Sequence, residues 1–356
     1  MYNFNYYTPT KVVFGKNTED KCGELVKEQG CKKVMIHYGS GSVKRTGLLD
    51  KVKASLDEAK IDYIELGGAV PNPRLSLVYE GIELAKKEGV DFILAVGGGS
   101  AIDSAKAIGY GVANEGDVWD FYDKKRQATG CLPIGVVLTI AATGSEMSNS
   151  SVITKEDGWI KRGYRNDYGR PRFAIMNPEL TMTLPDYQTA CGCTDILMHT
   201  MERYFTNGGN MEITDSIAEG LMRTVIENAR ILINDPKNYD ARAEVMWAGS
   251  LSHNGLTGCG AVVGGDFASH ALEHEIGGLF DVAHGAGLAA IWGSWARYVY
   301  KDCLSRFEKF AMNVMRVDPE GTDTDLRAEA PPHRAVFPQT SDCGQNGKPE
   351  LTGKIR

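Results

Sequence analysis

The sequence predicts an α/β N-terminal dinucleotide-binding domain with a mainly parallel sheet, followed by an all-helical C-terminal domain. Three observations carry this expectation. Up to about residue 183, short apolar runs alternate with helical stretches of the length that βαβ units need. One junction, Gly97-Gly98-Gly99-Ser100, is a glycine-rich turn that leaves an apolar strand and opens a helix. From Pro185 onward the strand signal fades, and apolar residues recur at helical spacing.

Taken in order, residues 10–14 read as a strand ending at Gly15, and residues 18–29 as a helix capped by Asn17 or Thr18. Lys33 to Tyr38 is an apolar strand running into Gly39-Ser40-Gly41-Ser42; a helical stretch over 43–59 and a strand over 61–66 follow. The turn Val70-Pro71-Asn72-Pro73 leads to a helix over 77–89, closed by Gly89. Phe92 to Val96 is the strand before the triple glycine, and a helix starts near Ala101. Strands are expected at 133–139, 151–154 and 173–176, with Lys161 and Arg162 in a polar turn between them. Helices are expected over 187–206, 211–233, 240–257, 263–278 and 286–315. The domains are therefore set at 1–184 and 185–317. Residues 318–356 lose apolar periodicity and gain Pro, Gly and polar residues, a composition expected to form a loosely ordered tail.

The chain has 356 residues, 42% hydrophobic and 24% charged, with a net charge of −7. That is a soluble globular balance large enough for two cores. An acidic chain without a dense Lys/Arg block offers no footprint for nucleic acid or an anionic membrane. Eight scattered cysteines with no CxxC pair suit reduced thiols, and no signal peptide or membrane span is evident, so a cytoplasmic location is expected.

Two glycine turns are candidates for phosphate contact. Gly39-Ser40-Gly41-Ser42 matches GxGxxG only in part, because Lys44 stands where the last glycine belongs. Gly97-Gly98-Gly99-Ser100 would let a pyrophosphate approach the backbone at a helix N-terminus. The hydroxyl-rich segment from Thr139 to Ser148 could reach a ribose or base. In the second half, Asp195 and His199 lie four apart, as do His270 and His274, and His284 follows. Residues four apart on a helix share a face, so these groups could converge on one ion. Spacing does not say which of His270 and His274 ligates. A carboxylate with imidazoles suits Fe²⁺ or Zn²⁺ alike. A metal beside a nicotinamide predicts polarisation of an alcohol or carbonyl oxygen, with a non-ligating His relaying the proton.

These motifs resemble those of the iron-containing (group III) alcohol dehydrogenases, most of all their NADPH-dependent butanol dehydrogenase branch. The matching stretches are TKVVFG, Pro71-Asn72-Pro73, GGGSAIDSAK, Thr139 to Ser148, MNPELTMTLP, DILMH and SHALEHEIGGLFDVAHG, spanning roughly residues 8 to 315. The resemblance implies cofactor and metal in a cleft between two domains. It assigns the metal to Asp195, His199, His270 and His284, and leaves His274 as the unligated His beside the nicotinamide. It puts the pyrophosphate on Gly97, Gly98, Gly99 and Ser100, with Asp103 following. Thr139, Thr143 and Ser148 fall at adenine and ribose contacts, with Leu180 walling the base. Lys161 matches a cofactor-binding lysine, and Asn72 falls in a turn lining the same site. NAD-using relatives carry an acidic residue after the second strand; here Gly39, Ser40, Ser42 and Lys44 suit a 2′-phosphate, so NADP(H) is expected. The expected substrates are short- to medium-chain alcohols and aldehydes, and the expected assembly is a homodimer.

The family's helical domain continues through further helices past Val317, where this chain has its polar tail, so support behind the ligands is expected to be incomplete. Two other readings share the motifs. One is a dehydroquinate-synthase-like metal and NAD lyase, which would want a basic site for a phosphorylated carboxylate. The other is a non-catalytic metal- and nucleotide-binding protein.

Overall fold

The computed structural model describes residues 1–206 and 209–318. The first half runs β1 (Lys11–Phe14), α1 (Cys22–Glu28), β2 (Lys33–Gly39), α2 (Ser42–Arg45), α3 (Leu48–Glu58), β3 (Asp62–Ala69), α4 (Leu75–Glu88), β4 (Phe92–Gly97), α5 (Gly99–Ala113), α6 (Trp119–Tyr122), β5 (Ile134–Leu138), β6 (Ser150–Lys155), β7 (Ile160–Arg165) and β8 (Phe173–Met176). Six strands form a sheet in the order β1-β8-β5-β4-β2-β3, and every pairing in it is parallel. Buried side chains alternate between its faces as the two-residue strand period requires. Met35, Ile93 and Ala95 pack on α4 and α5, while Val34, Ile36, Leu94 and Val96 pack toward α1 and α3. Strand order reverses between β2 and β4, so the turns after Gly39 and Gly97 leave neighbouring strands, in register at Tyr38 and Val96. Such a reversal opens a crevice at the strand carboxyl ends, the usual place for a ligand in this architecture.

The second half is helical: α7 (Asp186–Tyr204), α8 (Glu212–Asn234), α9 (Tyr239–His253), α10 (Ala268–Phe280), α11 (His284–Val299) and α12 (Leu304–Asn313). Ile196, Met222, Val245, Leu288 and Trp295 share its core. Among the described residues no helix is long and apolar enough to cross a membrane.

Several element boundaries depart from the sequence reading. Neither Asn17 nor Thr18 caps a helix through its side chain; Asn17 is left-handed, and the Thr18 hydroxyl donates to the Gly15 carbonyl. The stretch over 43–59 breaks at Gly47, whose φ of 75° separates α2 from α3. Residues expected to begin a helix at 263 do so only at Ala268, because Gly264, Gly265 and Phe267 all take positive φ. The helix expected to reach 257 stops at His253, with Gly255 at φ 102° just beyond it. The run over 286–315 is two helices, parted at Tyr300–Cys303. Lys161 and Arg162 lie not in a turn but in β7, which pairs antiparallel with β6 as a separate hairpin. The polar tail from Pro319 on, with His333 and Cys343, falls outside the described residues.

The last described helix is tied down by charge. Arg306 donates two hydrogen bonds of 2.7 Å to Asp215 on α8, and Lys309 donates a third of the same length. Burial works to raise the Asp215 pKa, but these donors outweigh it and hold it below the ordinary 3.8. A carboxylate depressed in the folded state contributes stability that is present above its unfolded pKa and lost as pH falls through the folded value. Asp215→Asn should therefore cost about 2 kcal/mol at neutral pH. In urea melts that difference should shrink below the ordinary carboxylate range.

Candidate active site

Helix α7 supplies Asp195 and His199, α10 supplies His270, and the N-terminus of α11 supplies His284. Three ring nitrogens surround one carboxylate oxygen. Asp195 Oδ1 lies 3.4 Å from His199 Nδ1, 3.6 Å from His270 Nε2 and 3.6 Å from His284 Nε2. Asp195, His199 and His270 are buried, and their facing atoms have no hydrogen-bond partner in the protein. Orphaned polar atoms in a buried place are costly, and here they converge within 4.8 Å of one another. A divalent cation would satisfy all of them at once, and one carboxylate with imidazoles is a donor set that iron and zinc accept. The residues present fit a metal.

Two glutamates that the sequence reading did not single out stand behind this cluster. Glu202 hydrogen-bonds His270 Nδ1 and also accepts from the Ser269 and His270 amides at 2.6 and 3.2 Å. Glu273 hydrogen-bonds His284 Nδ1 and accepts from Lys161 Nζ at 3.0 Å. In both histidines the Nδ1 contact leaves Nε2 turned toward Asp195. Burial opposes charge on His270, but Asp195 and Glu202 outweigh it and hold its pKa up at about 9. Burial also pushes the Glu273 carboxyl up, yet His284 and Lys161 bring it down to about 2. The spacing offered a signal. Glu202 falls three residues after His199 and Glu273 three after His270, on adjoining helix faces. His253 sets its ring 3.9 Å from that of His199, tilted by 50°, and meets Arg203 through Nδ1. His37 is buried in the sheet and pairs with the Leu66 carbonyl.

A cavity of about 550 Å³ runs from this cluster to the sheet edge. Of the residues singled out from sequence, Asn72, Gly99, Ser100, Asp103, Thr143, Ser148, Lys161, His199, His270, His274 and His284 line it. Gly39, Ser40, Ser42, Gly97, Gly98, Thr139, Leu180 and Asp195 do not. His274 is held neutral, its pKa pushed down to about 3 by burial and by Lys161 and His284. Gly98 and Gly99 are needed for close approach. A Cβ on Gly98 would meet Ile140 at 2.9 Å, and one on Gly99 would meet Thr143 at 2.6 Å. The hydroxyl-rich segment is thus packed directly against the start of α5.

Several of these residues also have partners within the protein. Asp103 accepts from the Ser145 hydroxyl at 2.6 Å and the Val152 amide at 2.9 Å. Asn72, with φ 53°, donates to Asp281 and to the Val282 carbonyl, tying its turn to the loop before His284. Leu180 packs with the core on the α1 and α3 face. Lys106, not picked out from sequence, is fully buried, and its ammonium lies 2.8–3.0 Å from four oxygens of Ser145, Ser148 and Ser150, among which its three N–H groups are shared.

Family models place this arrangement. Residues 9–178 match the iron-containing alcohol dehydrogenase model, and residues 189–335 match the C-terminal model of the same family. The chain belongs to the iron-containing alcohol dehydrogenases. The C-terminal match runs further than the motif reading, which ended near residue 315. The chain is 42% identical over 330 residues to a probable NADH-dependent butanol dehydrogenase of Bacillus subtilis, covering 92% of this chain and 84% of that protein. It is 35% identical over 368 residues to the NADPH-dependent aldehyde reductase YqhD of Escherichia coli, covering 100% of this chain and 93% of that one. Among solved structures it is similar to NADH-dependent butanol dehydrogenase A of Thermotoga maritima, with a TM-score of 0.89 and 42% identity over 92% of this chain and 82% of that one. Family and relatives together support alcohol–aldehyde interconversion with a nicotinamide cofactor.

Proposed function

We propose that this alcohol dehydrogenase uses iron and NADP(H) to interconvert short- to medium-chain primary alcohols and their aldehydes. The observation that carries the reading is the buried set of orphaned ligand atoms around Asp195 Oδ1, opening onto a cavity that reaches the glycine turn. Asp195, His199, His270 and His284 would hold the ion. When bound, it supplies Lewis-acid polarisation of the substrate oxygen. His274 lines the cavity beside the cluster and is proposed to pass the proton between substrate and solvent. His274→Phe should lower kcat by about a hundredfold, within the range for a lost proton-transfer group, and leave bound metal unchanged by elemental analysis.

For the cofactor, the support is what the end of β2 lacks. Gly39 stands where a carboxylate would hold ribose hydroxyls. The neighbouring Glu65 is engaged by the Tyr38 hydroxyl at 2.9 Å and by Lys53. Relatives carry both NADH and NADPH names. A Cβ at Gly39 would lie 3.3 Å from the Ala69 carbonyl, so an aspartate fits with a shift of a few tenths of an ångström. Gly39→Asp should reduce kcat/KM for NADPH on the order of tenfold, equivalent to about 1.4 kcal/mol, while raising it for NADH. An unchanged ratio would remove this argument for NADP(H).

The direct test follows absorbance of NADPH, then NADH, with butanal before and after chelation. Chelator-sensitive oxidation with NADPH favoured is the expected result. We further propose two domains, 1–184 and 185–317, meeting at the cavity, and a cytoplasmic homodimer. The dimer draws on the resemblance and on exposed aromatic residues (Tyr2, Phe4, Tyr7) next to the edge strand β1. Sedimentation would test it.

A further inference from the structure

We propose that Glu273 is the positioning residue for the His284 arm of the metal site, and that Lys161 serves as its clamp. This deepens the functional reading above and rests on it. Glu273 is fully buried, and the Lys161 side chain is 4% exposed. The ammonium meets both carboxylate oxygens, at 3.0 and 3.3 Å. A buried ion pair is weak evidence for stability, since desolvation can cancel its attraction. Its placement points to another purpose. One Glu273 oxygen takes both the Lys161 ammonium and His284 Nδ1, which turns the ring so that Nε2 lies 3.6 Å from Asp195 Oδ1.

The surrounding backbone keeps room for the pair. A Cβ on Gly277 would come within 2.6 Å of Glu273 Oε1 and 2.9 Å of Lys161 Nζ, and one on Gly287 within 2.9 Å of Glu273 Cγ. Both α10 and α11 are therefore bare where they pass this carboxylate. Glu202 relates to His270 in a similar way. It also accepts two amides at the start of α10, so its removal would disturb the helix along with the metal. Among the described residues no backbone amide donates to the Glu273 carboxylate, whose partners are Lys161 and His284, so its effect on His284 can be read without disturbing a helix start.

The experiment titrates metal-free full-length protein with Co²⁺ and with Zn²⁺, reading affinity and the Co²⁺ visible spectrum without any turnover. Glu273→Gln should weaken binding about 10- to 100-fold, the usual effect of losing a partner behind a ligating histidine, and should alter the spectrum. In a His284→Ala background the same substitution should cost less than about twofold, because its effect passes through that ring. Gly277→Ala keeps both charges but displaces them, and should also weaken binding. It decides the matter if Glu273→Gln does not fold. Unchanged affinity and spectrum in Glu273→Gln, or an equal loss in the His284→Ala background, would overturn the assignment. A wild-type protein that binds neither ion would overturn the metal-dependent function itself, and this role with it.

Discussion

Asp195→Ala is expected to erase the metal-dependent rise in melting temperature and to cut aldehyde reduction on the order of a thousandfold. Every facing ring nitrogen is arranged about its Oδ1, and among the described residues it is the one carboxylate pointing into the cluster. Without it, three imidazoles would have to hold a dication with no carboxylate ligand, the charges of Glu202 and Glu273 lying on the far side of the rings. Electrostatic help from a bound ion is worth several kcal/mol, and each 1.36 kcal/mol is about tenfold in rate. Stability gives an independent readout. An ion at a thousand times its Kd stabilises the folded state by about 4 kcal/mol, and the variant should lose that increment whether or not it turns over. Persistence of the shift in the variant would mean that the ion binds elsewhere.

Gly285→Ala is expected to lower kcat/KM by about a hundredfold through a residue that touches no ligand. Alanine is intrinsically the better helix former by about 1 kcal/mol, so propensity alone predicts a gain. The contact reverses this. A Cβ at Gly285 would sit 2.1 Å from the Cys191 carbonyl oxygen on α7, which is backbone and cannot swing aside. Helix α11 would have to move off α7 by about 1 Å. Overpacking of this kind costs ~1–3 kcal/mol, and a misplacement of that size can cost a hundredfold in rate. The displaced residue is His284, one position earlier, and its distance to Asp195 would open. Gly220→Ala on α8 is the control. Its nearest neighbour would be the end of Arg223 at 3.8 Å, so a gain of about 0.4–1 kcal/mol with unchanged activity is expected.

The parts legible in the sequence were those set by local pattern. Apolar runs such as Phe92 to Val96 could only be buried strands, and the Asp195–His199 pair had to share a helix face. The hairpin strand β7 was hidden because Ile-Lys-Arg-Gly-Tyr-Arg carries three cations and a glycine. Its Lys161 is buried only because Glu273, 112 positions later, meets it. No window of sequence contains that pairing. The same holds for His253, whose place against His199 depends on how α9 crosses α7, and for the break between α11 and α12, where helix formers continue without interruption. Glu202 and Glu273 were within reach, since each follows a ligand candidate by three residues. A charged residue on a helix is so often solvated that spacing alone did not distinguish them.

Lys106 carries a consequence of a different kind. The segment from Ser145 to Ser150 borders the cavity, and one ammonium gathers its oxygens from beneath. Burial pushes that amine's pKa from 10.5 down to about 8, so at neutral pH it remains charged at a cost to folding of roughly 3 kcal/mol. The cavity wall therefore carries a standing debt in stability. Methionine at position 106 would not clear it, because the Ser145, Ser148 and Ser150 oxygens would lose their donor and the cavity wall would slacken.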